Sequence, residues 1–81
     1  MKVVEGKTLL MGIKSSNVHS LEYNAQTKEL KAQLRTGTYL YKGIDKETMK
    51  SLEVAYMNGE SVGKEFNRLI VKGGFKYEKL G

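Results

Sequence analysis

Residues 30–35 alternate without a break: Leu30, Ala32 and Leu34 are apolar, while Lys31, Gln33 and Arg35 are polar or charged. A period of two is the signature of a strand with one dry face and one wet face. Turn signals stand on both sides of it. Upstream, Asn24-Ala25-Gln26-Thr27 has the composition of a four-residue turn, and downstream Thr36-Gly37 can close a two-residue turn. The first turn sets Tyr23 opposite Lys28, Leu21 opposite Leu30 and His19 opposite Ala32. The second sets Leu34 opposite Tyr39 and Ala32 opposite Tyr41. Both turns thereby gather Leu21, Tyr23, Leu30, Ala32, Leu34, Tyr39 and Tyr41 on one face. A one-residue slip in either turn would carry a whole strand's side chains to the other face, so agreement between two separate loops constrains the fold strongly. Residues 17–42 are therefore expected to form a three-stranded antiparallel meander. A bulge at Gly37 would turn Tyr39 and Tyr41 over.

A sheet face this apolar has to be covered, and the rest of the chain carries helix signals. Ile44 and Met49 occupy the two positions of a hydrophobic staple around Asp45, a good N-cap residue. Met49, Leu52, Ala55 and Tyr56 follow at helical spacing. Asn58-Gly59 stops that helix, with Gly59 suited to a left-handed C-cap. Ser61 can cap a second helix over residues 61–72, with Val62, Phe66, Leu69 and Ile70 as its apolar stripe. Gly73-Gly74 ends it. Phe75-Lys76-Tyr77-Glu78 alternates again and can return as a short strand, and Thr8–Lys14 can supply another near the N-terminus. The expected fold class is α+β: an antiparallel β-meander packed on one face by two α-helices, with a short C-terminal strand.

Size and composition narrow the function. Eighty-one residues make one domain, which buries only about 60–65% of the surface its unfolded chain exposes and has no room for a deep substrate cavity. The absence of cysteine excludes disulfides and cysteine-ligated metal sites and suits a cytoplasmic setting. No apolar run approaches the ~20 residues of a membrane span, so no membrane contact is expected. Leu9-Leu10-Met11 is too short for the core of a signal peptide.

Catalytic constellations are missing. His19 is the only histidine, the sequence assembles no Ser-His-Asp set on it, and no metal-ligand cluster surrounds it. The register puts it at the margin of the core face. The acids are scattered: Asp45 serves as a cap, Glu47 suits the first helical turn, and Glu60 stands four residues before Lys64, within ion-pair reach. The glycines form no phosphate-binding loop. No catalytic residue, metal or cofactor is expected, and the chain does not read as an enzyme.

Charge is the sharper feature. Fourteen Lys and Arg against nine Asp and Glu give a net charge of +5, compatible with a polyanionic partner and equally with plain solubility. Lys64, Arg68 and Lys72 recur every four residues and make a basic stripe opposite the apolar one, diluted by Glu65. Lys31 and Arg35 lie on the outward strand face. If the two surfaces adjoin, Lys31, Arg35, Lys64, Arg68 and Lys72 form a phosphate-binding patch; otherwise they are a solvated surface. Tyr39 and Tyr41 could stack on bases if exposed, but the register favours core packing. Ser15, Ser16, Asn17 and Asn67 can cap turns and helix ends or bind a ligand.

These blocks together resemble a known family. Ser15-Ser16-Asn17-Val18, Leu21, Tyr23-Asn24, Tyr39-Leu40-Tyr41, Gly43-Ile44, Ala55, Ser61, Gly63, Phe66-Asn67, Ile70, Phe75, Tyr77 and Leu80 follow the order and spacing of the KTSC domain. That domain is named for the C-terminal module of some lysyl-tRNA synthetases, and it also occurs as small stand-alone bacterial and phage proteins. The resemblance covers residues 13–80 and implies a single domain over 13–81. Residues 1–12 are left as an N-terminal extension, a strand or disordered. Tyr39, Tyr41, Phe66 and Asn67 would be family-motif positions with structural roles. The synthetase association implies RNA binding. The expected function is thus a small non-catalytic binding module that takes RNA or another nucleic acid on a basic face. The alternative is a protein-interaction or accessory module of a bacterium or phage.

Overall fold

The computed structural model describes residues 1–81. Its centre is the expected meander: β3 (Val18–Asn24), β4 (Glu29–Leu34) and β5 (Gly37–Tyr41), paired antiparallel in order. Both hairpins close two residues away from the expected register. Tyr23 pairs with Leu30 and Leu21 with Ala32, while Ala32 pairs with Tyr39 and Leu30 with Tyr41. The cause lies in the turns. Asn24 stays in the strand, and its Oδ1 accepts from the amides of Gln26 at 2.9 Å and Thr27 at 3.3 Å, so the loop becomes Ala25–Lys28. The next loop is Arg35-Thr36, and Gly37 already belongs to β5. Gly37 has φ +144°, and a Cβ there would run into the Gly81 carbonyl oxygen.

An offset of two preserves the face of every side chain. Leu21, Tyr23, Leu30, Ala32 and Tyr41 are accordingly buried together, with Leu34 and Tyr39 packed half-buried beside them. His19 departs from expectation. A bulge between Val18 and Ser20 puts Val18 into the core and leaves His19 in solvent. Burying the apolar neighbour in place of the imidazole is the favourable exchange.

The sheet is wider than the meander. The N-terminal residues form a hairpin, β1 (Lys2–Val4) and β2 (Lys7–Leu10), and β2 pairs with β3. Its two-residue loop, Glu5-Gly6, takes positive φ at both positions, 49° and 80°, the mirror-image turn that matches strand twist. The chain closes with β6 (Tyr77–Lys79), paired to β5. The result is a six-stranded antiparallel sheet in sequential order, with the helices on one face.

Helix α1 (Lys46–Met57) starts where Asp45 accepts from the Thr48 amide at 2.8 Å. That hydrogen bond, with Lys28 nearby, holds the Asp45 carboxyl below its usual range. The helix ends in a Schellman motif. Glu60 N–H donates to Ala55 O and Gly59 N–H to Tyr56 O, with Gly59 at φ +70°. Glu60 therefore lies outside the second helix and makes no pair with Lys64. Instead Arg68 pairs with Glu65 at 2.6 Å.

The second helix is not one α-helix over 61–72. It begins as α2 (Val62–Phe66), capped by Ser61, and opens into a π-helical turn over Asn67–Val71, where Lys72 N–H donates to Asn67 O at 3.0 Å. Met49, Leu52 and Ala55 from α1, Val62 and Phe66 from α2, and Ile70 from the π turn meet Leu10, Leu21, Leu30 and Ile44 in one core. Each large side chain fully buried there contributes about 1.5–3 kcal/mol. Two phenols tie layers together: Tyr23 donates to Ile44 O and Tyr56 to Met11 O, each at 2.6 Å. Burial, with Asp45 and Glu53 nearby, pushes the Tyr23 phenol up from its ordinary value.

Candidate functional site

Three segments meet beside the start of α2. The first is the loop into β3. Ser15 Oγ accepts from the amides of Asn17 and Val18 at 3.3 Å each, which folds residues 15–18 into a tight turn. The second is the Arg35-Thr36 turn, fixed against that loop because Arg35 N–H donates to Asn17 O at 2.8 Å. The third is α2 itself. A Cβ on Gly63 would stand 2.5 Å from Ser15 Oγ, so a glycine is what lets the helix lie this near the loop.

Between them opens a cleft of about 670 Å³. Lys14, Arg35 and Lys64 line its walls together with Ser16, Asn17 and Asn67, and the buried Val18 and Phe66 lie at its base. No carboxylate lines it. None of its three cations is ion-paired, since the chain's two ion pairs are Lys42–Glu78 and Arg68–Glu65. Like charges around a concave, partly apolar wall focus the field on an incoming anion. The Asn67 side chain makes no hydrogen bond within the protein, so its amide is available to a ligand.

The expected basic patch is thus rearranged. Arg35 and Lys64 come together in the cleft. Lys31 does not join them: it pairs across from Leu40 on the face of the sheet away from the helices, so the sheet separates it from α2. Arg68 is exposed but held by Glu65. Lys72 is exposed past the π turn, whose wider winding takes it off the line of Lys64, and it does not reach the cleft. Lys14 was not among the expected residues. Its signal is its place directly before the polar run Ser15-Ser16-Asn17, the only cation in that loop.

A second hollow, of about 340 Å³, continues the cleft, sharing Leu34, Thr36 and Val71 with it. Tyr39, Tyr77 and Phe75 are its aromatic walls. Tyr41 is only 6% exposed and meets Phe66 edge-on at a centroid distance of 5.6 Å. Burial, with Tyr77 and Tyr39 beside it, raises its phenol above the ordinary value. Tyr39 is half-buried, and its hydroxyl lies 3.2 Å from Thr36 Oγ1. Tyr77 is 60% exposed, 5.9 Å from the Tyr39 ring and 5.3 Å from the Tyr41 ring. No three His, Cys, Asp or Glu side chains stand close enough to share a metal ion, and no helix is long and apolar enough to cross a membrane.

The profile of the KTSC domain family matches residues 14–75, which holds every segment of the cleft. Among solved structures, the fold is similar to the crystal structure of a KTSC domain protein from Yersinia pestis. The TM-score is 0.71 and the identity 28%, over 93% of this chain and 99% of the other. No curated protein matches in sequence. With the matched segment covering most of the chain, and sheet, helices and terminal strand in common with that structure, the protein belongs to the KTSC domain family.

Proposed function

We propose that this domain is a non-catalytic, cytoplasmic nucleic-acid-binding module, with RNA the first ligand class, that grips the phosphate backbone in the cleft between Lys14, Arg35 and Lys64. The observation that carries the reading is the make-up of that cleft: three unpaired cations, polar side chains between them, and no carboxylate. Lysine and arginine aimed at phosphates give affinity and position without reading bases, so binding is weakly sequence-selective. His19, the one histidine, sits in solvent away from the cleft. A protein-interaction role draws on the neighbouring apolar hollow with its exposed Val71 and Tyr77.

Fluorescence anisotropy with short RNA and DNA strands over a salt series tests this. Three phosphate contacts on a single strand give a log–log slope of about −2, from roughly −0.7 per contact, so a fourfold rise in salt weakens binding about twentyfold. Dissociation constants above the millimolar range at low salt, or affinity independent of salt, would remove the nucleic-acid reading and put the protein-interaction module first.

A further inference from the structure

We infer that the ligand is a single strand, held with an unpaired base against Tyr77 and Tyr39 in the apolar hollow and its phosphate in the adjoining cleft. The inference rests on the nucleic-acid reading above and adds which form of nucleic acid is taken and what the tyrosines do. The first ground is continuity. The hollow and the cleft share Leu34, Thr36 and Val71, so one ligand can occupy both. An unpaired nucleotide has this division within a few bonds: a flat aromatic base and an anionic phosphate.

The second ground is that the hollow is built open. Tyr77 lies on the helix side of the sheet, paired across from Tyr41, yet it is 60% exposed while Tyr41 is 6% exposed. Helical cover ends at the π turn, and the chain reverses at Gly73-Gly74. A Cβ on Gly73 would overlap Leu69 O and stand 2.8 Å from the Phe75 ring. That glycine therefore lets Phe75 fold back as a wall instead of being displaced. The third ground is charge. No carboxylate lines the hollow either, and Lys79 Nζ stands 5.9 Å from the centre of the Tyr39 ring, so a cation flanks the hollow as well as the cleft. Stacking on aromatic side chains beside a cationic groove is how single strands are held, and a base locked inside a duplex cannot enter.

The test is anisotropy at low salt with a labelled single-stranded RNA, the same strand carrying abasic sites, and a duplex of the same sequence. The single strand is expected to bind more tightly than both others. Tyr77→Ala should weaken its binding about five- to 150-fold, the range for one lost base stack, and leave the abasic strand unaffected. Tyr77→Phe should bind as the native protein does, and circular dichroism confirms that each variant is folded. Lys64→Ala should weaken all three ligands alike. If Lys64→Ala weakens binding but Tyr77→Ala does not, or if the abasic strand binds as tightly as the intact one, the base site is overturned and the phosphate cleft stands. Duplex bound as tightly as single strand also overturns it. If no nucleic acid binds, both readings fall. An acidic peptide with one aromatic residue that binds as tightly as the RNA overturns the assignment in favour of a protein partner.

Discussion

Replacing Tyr41 with alanine is expected to destabilise the domain by about 3–5 kcal/mol, the cost of truncating a large buried aromatic. A chain of this length has a total stability of roughly 4–12 kcal/mol, from about 0.05–0.15 kcal/mol per residue, so the variant should be partly unfolded without denaturant. The reason is position. Tyr41 pairs with Leu30 on one side and Tyr77 on the other, and its ring meets Phe66 edge-on beneath α2. Removing it opens a void where β4, β5, β6 and the helix join, and close-packed neighbours refill such a void only in part. Its hydroxyl makes no hydrogen bond within the protein, so Tyr41→Phe should cost less than about 1 kcal/mol. Urea unfolding followed by circular dichroism measures both. A cost below about 1 kcal/mol for Tyr41→Ala would show that the ring is not a core element.

The largest effect on binding is expected from neutralising two walls of the cleft at once. Arg35 is placed by the bond from its amide to Asn17, and Lys64 by the Ser61 cap at the start of α2. Neither side chain is ion-paired. At the lower end of the range for a hydrogen bond to a charged group, about 1.5 kcal/mol, each substitution by alanine costs about tenfold in affinity. If the two sites act independently, Arg35→Ala with Lys64→Ala costs about a hundredfold and flattens the salt slope by roughly 0.7 for each phosphate no longer neutralised. Anisotropy with the same RNA reads both quantities. Lys31→Ala, on the opposite face of the sheet, is the matched control and should change affinity less than twofold. Equal losses from Lys31→Ala and Lys64→Ala would mean that binding follows net charge alone.

The layout of the fold could be read from a few residues because their signals are local and redundant. Period two in residues 30–35 fixed which side chains share a face, and that held although both registers moved by two, since an even offset leaves the faces unchanged. Asp45, Gly59 and Ser61 marked helix ends through cap chemistry that needs no tertiary context. The misses have physical causes. Asn24 capped its loop from within the strand, which displaced the turn by one residue. The strand expected over Thr8–Lys14 is Lys7–Leu10, and its hairpin partner Lys2–Val4 was hidden because the turn between them uses Glu5 at positive φ, where Asn or Asp is the usual marker. The π turn has no sequence signature in a window of this kind: Phe66 and Ile70 stand four apart, as they would on one face of an ordinary α-helix. The same limit applied to the site. Arg35 and Lys64 could be singled out as basic residues, but their convergence with Lys14 depends on Gly63 letting α2 lie against Ser15, a residue 48 positions earlier in the chain.

On the proposed reading, the cleft beside α2 is the surface that meets nucleic acid. Amide chemical-shift mapping of the labelled protein during titration with a short single-stranded RNA reads that surface residue by residue. Shifts are expected to concentrate at residues 14–17, at Arg35 and Thr36, and over residues 61–67, extending to Phe75 and Tyr77, with Lys31 and Lys42 on the far face of the sheet unmoved. Shifts centred on that far face, or on the N-terminal hairpin, with the cleft silent, would contradict it.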